Sequence, residues 1–143
     1  MNNFLTVADY LVFISQTVLK KIVSNNDAKQ TDAERIAYGY IYEKLSSRFD
    51  LDKESAKRGD ERNSALVRWM SVLSVYYLYQ SIADMDIPER VRMNYEDVIA
   101  EIQRVASGKD SCSLSPVTTP EGKPRTKSKF YYSPKKGQRP FGF

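Results

Sequence analysis

Histidine is absent from this 143-residue chain, and cysteine occurs once, as Cys112. Without histidine, the side chain that most often serves as a general base near neutral pH is missing. A single cysteine excludes an internal disulfide framework and any Cys/His zinc cluster. Cys112 stands in a serine-rich stretch with no imidazole to activate it, so an inert thiol is expected. Neither a GxGxxG pattern nor a phosphate-cradling Gly-Lys-Ser/Thr loop occurs. The carboxylate pairs Asp50/Asp52 and Asp84/Asp86 lie in turn-like segments and read as solvated loop charges. The expectation is a protein that is not an enzyme and carries no cofactor or metal.

Long apolar runs are lacking too. The most apolar stretch, residues 65–83, is broken by Arg68, Ser71, Ser74, Gln80 and Ser81, which suits a buried helix better than a lipid span. The start, Met1-Asn2-Asn3, lacks a basic n-region, so no secretory leader is expected. Nothing calls for a membrane, and a reducing compartment is the simple reading.

What the chain does have is 41% hydrophobic and 28% charged residues, the balance of a soluble globular protein with one modest core. Its net charge of +4 is unevenly spread. Residues 1–108 hold 14 Lys/Arg against 16 Asp/Glu, whereas residues 109–143 hold 8 against 2 and five of the six prolines. Two regions are expected: a helical domain over 1–108 and an extended arm over 109–143.

Within the first region the spacing predicts four helices. The first starts at Thr6, an N-cap with Asp9 three residues on, and carries Tyr10, Leu11, Ile14, Val18, Leu19 and Ile22 as one stripe. The second opens at Thr31-Asp32-Ala33-Glu34, read as a capping box, with Ile36, Ala37, Tyr40, Ile41 and Leu45 as its main stripe. Tyr38 and Tyr42 fall on another face of it. A polar stretch, 50–62, leads to a third helix over about 63–83 that is apolar around almost its whole circumference, the mark of a central element. Ile87-Pro88 opens the fourth, whose stripe runs from Val91 to Ala106, with Gly108 at the position after the C-cap. The fold class is all-α: a four-helix bundle with an extended arm.

Tyrosine is in excess, ten in all. Tyr40 and Tyr77 read as core. Tyr38, Tyr42, Tyr76 and Tyr79 are more rings than four short helices can enclose, and tyrosine suits half-wet protein interfaces, so these four are candidate contacts between subunits. In the arm, Lys123, Arg125, Lys127, Lys129, Lys135, Lys136 and Arg139 interleave with Phe130, Tyr131, Tyr132, Phe141 and Phe143. Such a segment can bind nucleic-acid phosphates and stack on bases, or it can lie in a protein groove, add a short strand to a partner and plug its phenylalanines into pockets. The aromatic content favours the groove.

Several stretches taken in order carry a resemblance: Thr6-Val7-Ala8-Asp9-Tyr10-Leu11, the 32–45 helix closing on Ser47-Arg48-Phe49-Asp50, the tyrosine-rich third helix, and Arg90 to Val98 running on to Ala106-Ser107-Gly108-Lys109. Over about residues 4–110 this is similar to the Mu-like proteins grouped with the head–tail connectors (adaptors) of tailed bacteriophages. Phe49 stands where that pattern has tyrosine, and the 52–63 loop is charged where it is apolar and proline-rich. The resemblance implies a virion protein made in the host cytoplasm. It also implies a ring, commonly of twelve copies, beneath the portal protein, which extends the DNA channel and docks the next neck or tail component. Channel DNA would meet at most non-specific contacts. Two other readings stay open: a nucleic-acid-binding protein with a helical domain and a basic arm, and a scaffold or chaperone that clamps a client with that arm.

Overall fold

Thr6 begins the first helix as its side chain requires. Its hydroxyl accepts from the Asp9 amide at 3.3 Å, and the Asp9 carboxylate accepts from the Thr6 amide at 2.7 Å, a reciprocal cap. In this computed structural model, which describes residues 4–24 and 26–117, the described residues form an all-α fold. Six helices follow one another: α1 (Val7–Leu11), α2 (Gln16–Val23), α3 (Ala28–Leu45), α4 (Leu51–Ser55), α5 (Ser64–Gln80) and α6 (Glu89–Ala106), with a 3-10 turn at Gly59–Glu61. None of the helices is long and apolar enough to cross a membrane.

The helix count differs from the four expected, for local reasons. Ser15 restarts the chain as a new N-cap, accepting from the Val18 amide at 3.2 Å, so the expected first helix is split into α1 and α2. The turn between them buries both Tyr10 and Ile14 while leaving Leu11 41% exposed. Within 50–62, Asp50 accepts from the Lys53 amide at 3.1 Å and starts α4, which buries Leu51 and Glu54. The second expected helix begins ahead of Thr31, because Asn26 Oδ1 accepts from the Ala28 amide at 3.1 Å and launches α3 earlier. Glu34 is therefore not a capping partner of Thr31. It turns inward and accepts the phenol hydrogen of Tyr10 at 2.5 Å.

α5 is the central element, as its all-round apolar surface demands, and packs against α3, α6, α1 and α2. Its Leu66, Trp69, Leu73 and Leu78 are fully buried. α3 meets it along Ala33, Ala37, Ile41 and Leu45, each four residues from the last, with two alanines letting the helices approach closely. α6 contributes Val91, Val98, Ile102 and Val105. It ends as expected: Gly108, with φ 85°, donates to the Val105 carbonyl at 3.1 Å, and Lys109 donates to the Arg104 carbonyl at 2.9 Å, the paired bonds of a Schellman stop.

Beyond Gly108 the chain stays on the body as far as it is described. Leu114 is buried, Asp50 donates its amide to the Ser115 carbonyl at 2.8 Å, and Val117 donates to the Arg48 carbonyl at 3.1 Å. Phe49 and Pro116 form an isolated antiparallel bridge. The Glu54 carboxylate accepts the Ser115 amide at 2.8 Å, and Asn63 donates its side-chain amide to Ser113 Oγ at 2.8 Å. Residues 113–117 thus form a strap across α4 and the end of α3.

Candidate partner-binding surface

The outer face of α3 follows from its own periodicity. With Ala33, Ala37, Ile41 and Leu45 turned to the core, Arg35, Tyr38, Gly39, Tyr42, Glu43 and Ser46 share the opposite side and line one shallow groove. Tyr42 is 40% exposed, and its ring lies 5.8 Å from that of the half-buried Tyr38 at a tilt of 50°. The Tyr38 hydroxyl reaches Ser55 Oγ on α4 at 3.4 Å. Burial pushes this phenol up, the Ser55 bond opposes that, and the nearby charges of Asp52 and Asp50 add to the rise, while Arg58 donates to the Ser55 carbonyl at 2.7 Å at the same end. Arg35 pairs with Asp32 at 3.6 Å at the other end.

Gly39 sits at the middle of this face. A Cβ added there would meet nothing within 4 Å among the described residues, so no described neighbour requires glycine. Its backbone is that of an ordinary helix, since Gly59 and Gly108 are the glycines with positive φ among the described residues. A glycine inside a helix costs roughly 0.5–1 kcal/mol relative to alanine. Here the described fold gets nothing in return.

The other expected contact residues are placed differently. Tyr76 stacks on Tyr95 of α6, with ring centroids 3.8 Å apart and planes 12° apart, and both meet Tyr77 edge-on at 5.7 and 6.0 Å. That cluster cements α5 to α6. Tyr79 is only 7% exposed and belongs to the core, which leaves little of this ring for a neighbour. Ile36, expected in the core stripe, is 46% exposed. A second apolar patch, Val7, Leu11 and Val12, is exposed on and just after α1 and was not singled out by periodicity, which counted Leu11 as core. Lys127, Lys129, Phe130, Tyr131, Tyr132, Arg139, Phe141 and Phe143 lie outside the described residues.

Arg48, part of the Ser47-Arg48-Phe49 stretch noted above, has a structural task. Its guanidinium donates to the Val105 carbonyl at the end of α6 and lies 5.3 Å from the Phe49 ring centre, while its own carbonyl takes the Val117 amide. It joins the end of α3, the end of α6 and Val117, the last described residue. Among the described residues, no group of three or more Cys, Asp or Glu side chains is placed to hold a metal ion.

Comparison with curated proteins found no match. The family model described as Bacteriophage Mu, Gp36 matches residues 5–130, the whole helical body together with the strap and the first part of the arm, and the chain belongs to that phage protein family.

Proposed function

We propose that this chain is a structural protein of the phage particle, one copy in a ring at the head–tail junction. In that place it joins the portal protein to the next neck or tail component and continues the channel through which DNA passes. Membership of the Mu Gp36 family supports a phage role. The observation that carries the assembly role is the outer face of α3, where two aromatic rings flank a helix-interior glycine that no contact among the described residues requires. Such a face has a reason to exist once another chain covers it.

A closed ring requires two different patches on each copy, one meeting the other around the circle. The α3 groove supplies one of them, and Val7, Leu11 and Val12 are further exposed apolar side chains, apart from it. Around a ring, a modest contact repeated many times gives high avidity without a large single interface. The role needs no catalysis and no cofactor. It is tested by mixing the purified full-length protein with the portal protein of the same phage and measuring the mass of the product. A closed ring, or one copy bound per portal subunit, is the expected result. A protein that stays monomeric and ignores the portal sinks the proposal.

A further inference from the structure

The described chain ends beside the α3 groove. Val117 is bonded to Arg48, just past Ser46 at the groove's end, and the strap behind it is fastened to α4, the helix that also meets Tyr38. From Arg35 to Ser46 the groove spans roughly 17 Å of helix. A chain continuing from Val117 along its own groove would cover that length with roughly five extended residues. Those residues are Thr118, Thr119, Pro120, Glu121 and Gly122, which carry no aromatic or large aliphatic anchor. The Phe130-Tyr131-Tyr132 triad comes about 13 residues after Val117 and reaches up to roughly 43 Å when extended, well past its own groove.

We propose that the triad of one copy docks in the α3 groove of the neighbouring copy, so that the arms link the ring subunit to subunit. This rests on the ring reading above and deepens it. The chemistry is complementary in two ways. Lys127, Lys129, Lys135 and Lys136 flank the triad, and Glu43, Asp50 and Asp52 border the groove at its α4 end. An extended aromatic segment also needs close approach to a helix backbone, which Gly39 permits between Tyr38 and Tyr42.

The test uses the full-length chain with a photo-crosslinking phenylalanine analogue in place of Tyr131, prepared as an equal mixture of isotopically light and heavy protein. The expected product joins residue 131 to a peptide within 35–46, in mixed light–heavy pairs. Tyr42→Ala should lower copy-for-copy affinity by about ten-fold, and Gly39→Leu should abolish the crosslink. Crosslinks confined to one chain, or to another surface of the neighbour, overturn the proposal, as does a crosslink to portal protein alone. A ring that still forms while residue 131 maps elsewhere sinks only the arm proposal; loss of both ring and portal binding sinks the ring reading as well.

Discussion

Tyr10 of α1 donates its phenol hydrogen to the Glu34 carboxylate of α3 at 2.5 Å, with the ring fully buried and the acid 9% exposed. Burial pushes the Glu34 carboxyl above its ordinary value of 4.5; the Tyr10 bond opposes the rise and the charge of Asp9 adds to it. An acid whose pKa is raised by folding binds its proton more readily in the folded state. Its stabilising share is present below 4.5 and is lost as pH rises through the folded value. Wild type should therefore lose this share on going up from about pH 4.5, and Glu34→Gln should flatten that fall. Urea midpoints of both proteins across that range check it, and parallel curves would contradict it.

Arg62 ties the same end of the fold together. Its guanidinium meets the Asp9 carboxylate at 2.6 Å and the Phe4 carbonyl at 2.7 Å, with both charged side chains only 13% exposed. Burial would raise the Asp9 carboxyl, but Arg62 and Thr6 hold it below its ordinary value. Arg62→Ala leaves a mostly buried carboxylate without its partner and should cost about 3 kcal/mol. Adding Asp9→Asn should recover part of the loss, and a double-mutant cycle of unfolding free energies measures how much. The sign of the pH effect is opposite to that of Glu34: the Asp9 contribution is present above 3.8 and disappears as pH falls through its folded value.

Glu54 fastens the strap. It is 2% exposed, accepts the Ser115 amide and pairs with Lys57 at 3.2 Å. Burial alone would raise its carboxyl, yet the Ser115 and Lys57 contacts bring it below 4.5. Glu54→Ala should loosen residues 113–117 while α3, α5 and α6 persist. Hydrogen exchange should then speed up at Ser115, Val117 and Asp50 far more than in α5.

Gly39 separates folding from assembly. Gly39→Ala fills empty space in the single chain and removes backbone freedom from the unfolded one, so it should stabilise the isolated subunit by about 0.5–1 kcal/mol. The same substitution should weaken assembly, because the added methyl group stands where the neighbour's chain approaches. Thermal melts and sedimentation of one sample read the two effects together. A subunit destabilised by the substitution would show that Gly39 serves its own fold.

Much of this architecture was legible in the sequence, wherever a local rule fixes a local bond. Thr6 with Asp9, Pro88 ahead of α6 and Gly108 after it stand where a reading of caps and stops puts them, whereas Asn63, the N-cap of α5, carries no such reading in the sequence. The rest depends on what packs against what. α3 has apolar residues on two sides, and periodicity alone cannot say which side the core covers; the alanine face won, leaving Ile36 outside. Glu34 looked like a cap because its partner Tyr10 is distant in sequence. Tyr76 reads as spare in the sequence because its stacking partner, Tyr95, comes from another helix. Of the candidate site, Tyr38 and Tyr42 were visible as a separate face, whereas the meaning of Gly39 needed the space around it.

The central claim is tested most directly by the native mass of the full-length protein, measured alone and after mixing with the portal protein of the same phage. The account predicts a closed ring, or a monomer that becomes one copy per portal subunit, and loss of that assembly when residues 118–143 are deleted although the helical signal is unchanged. A monomer that ignores the portal protein and instead binds DNA with an affinity falling steeply as salt rises would contradict it.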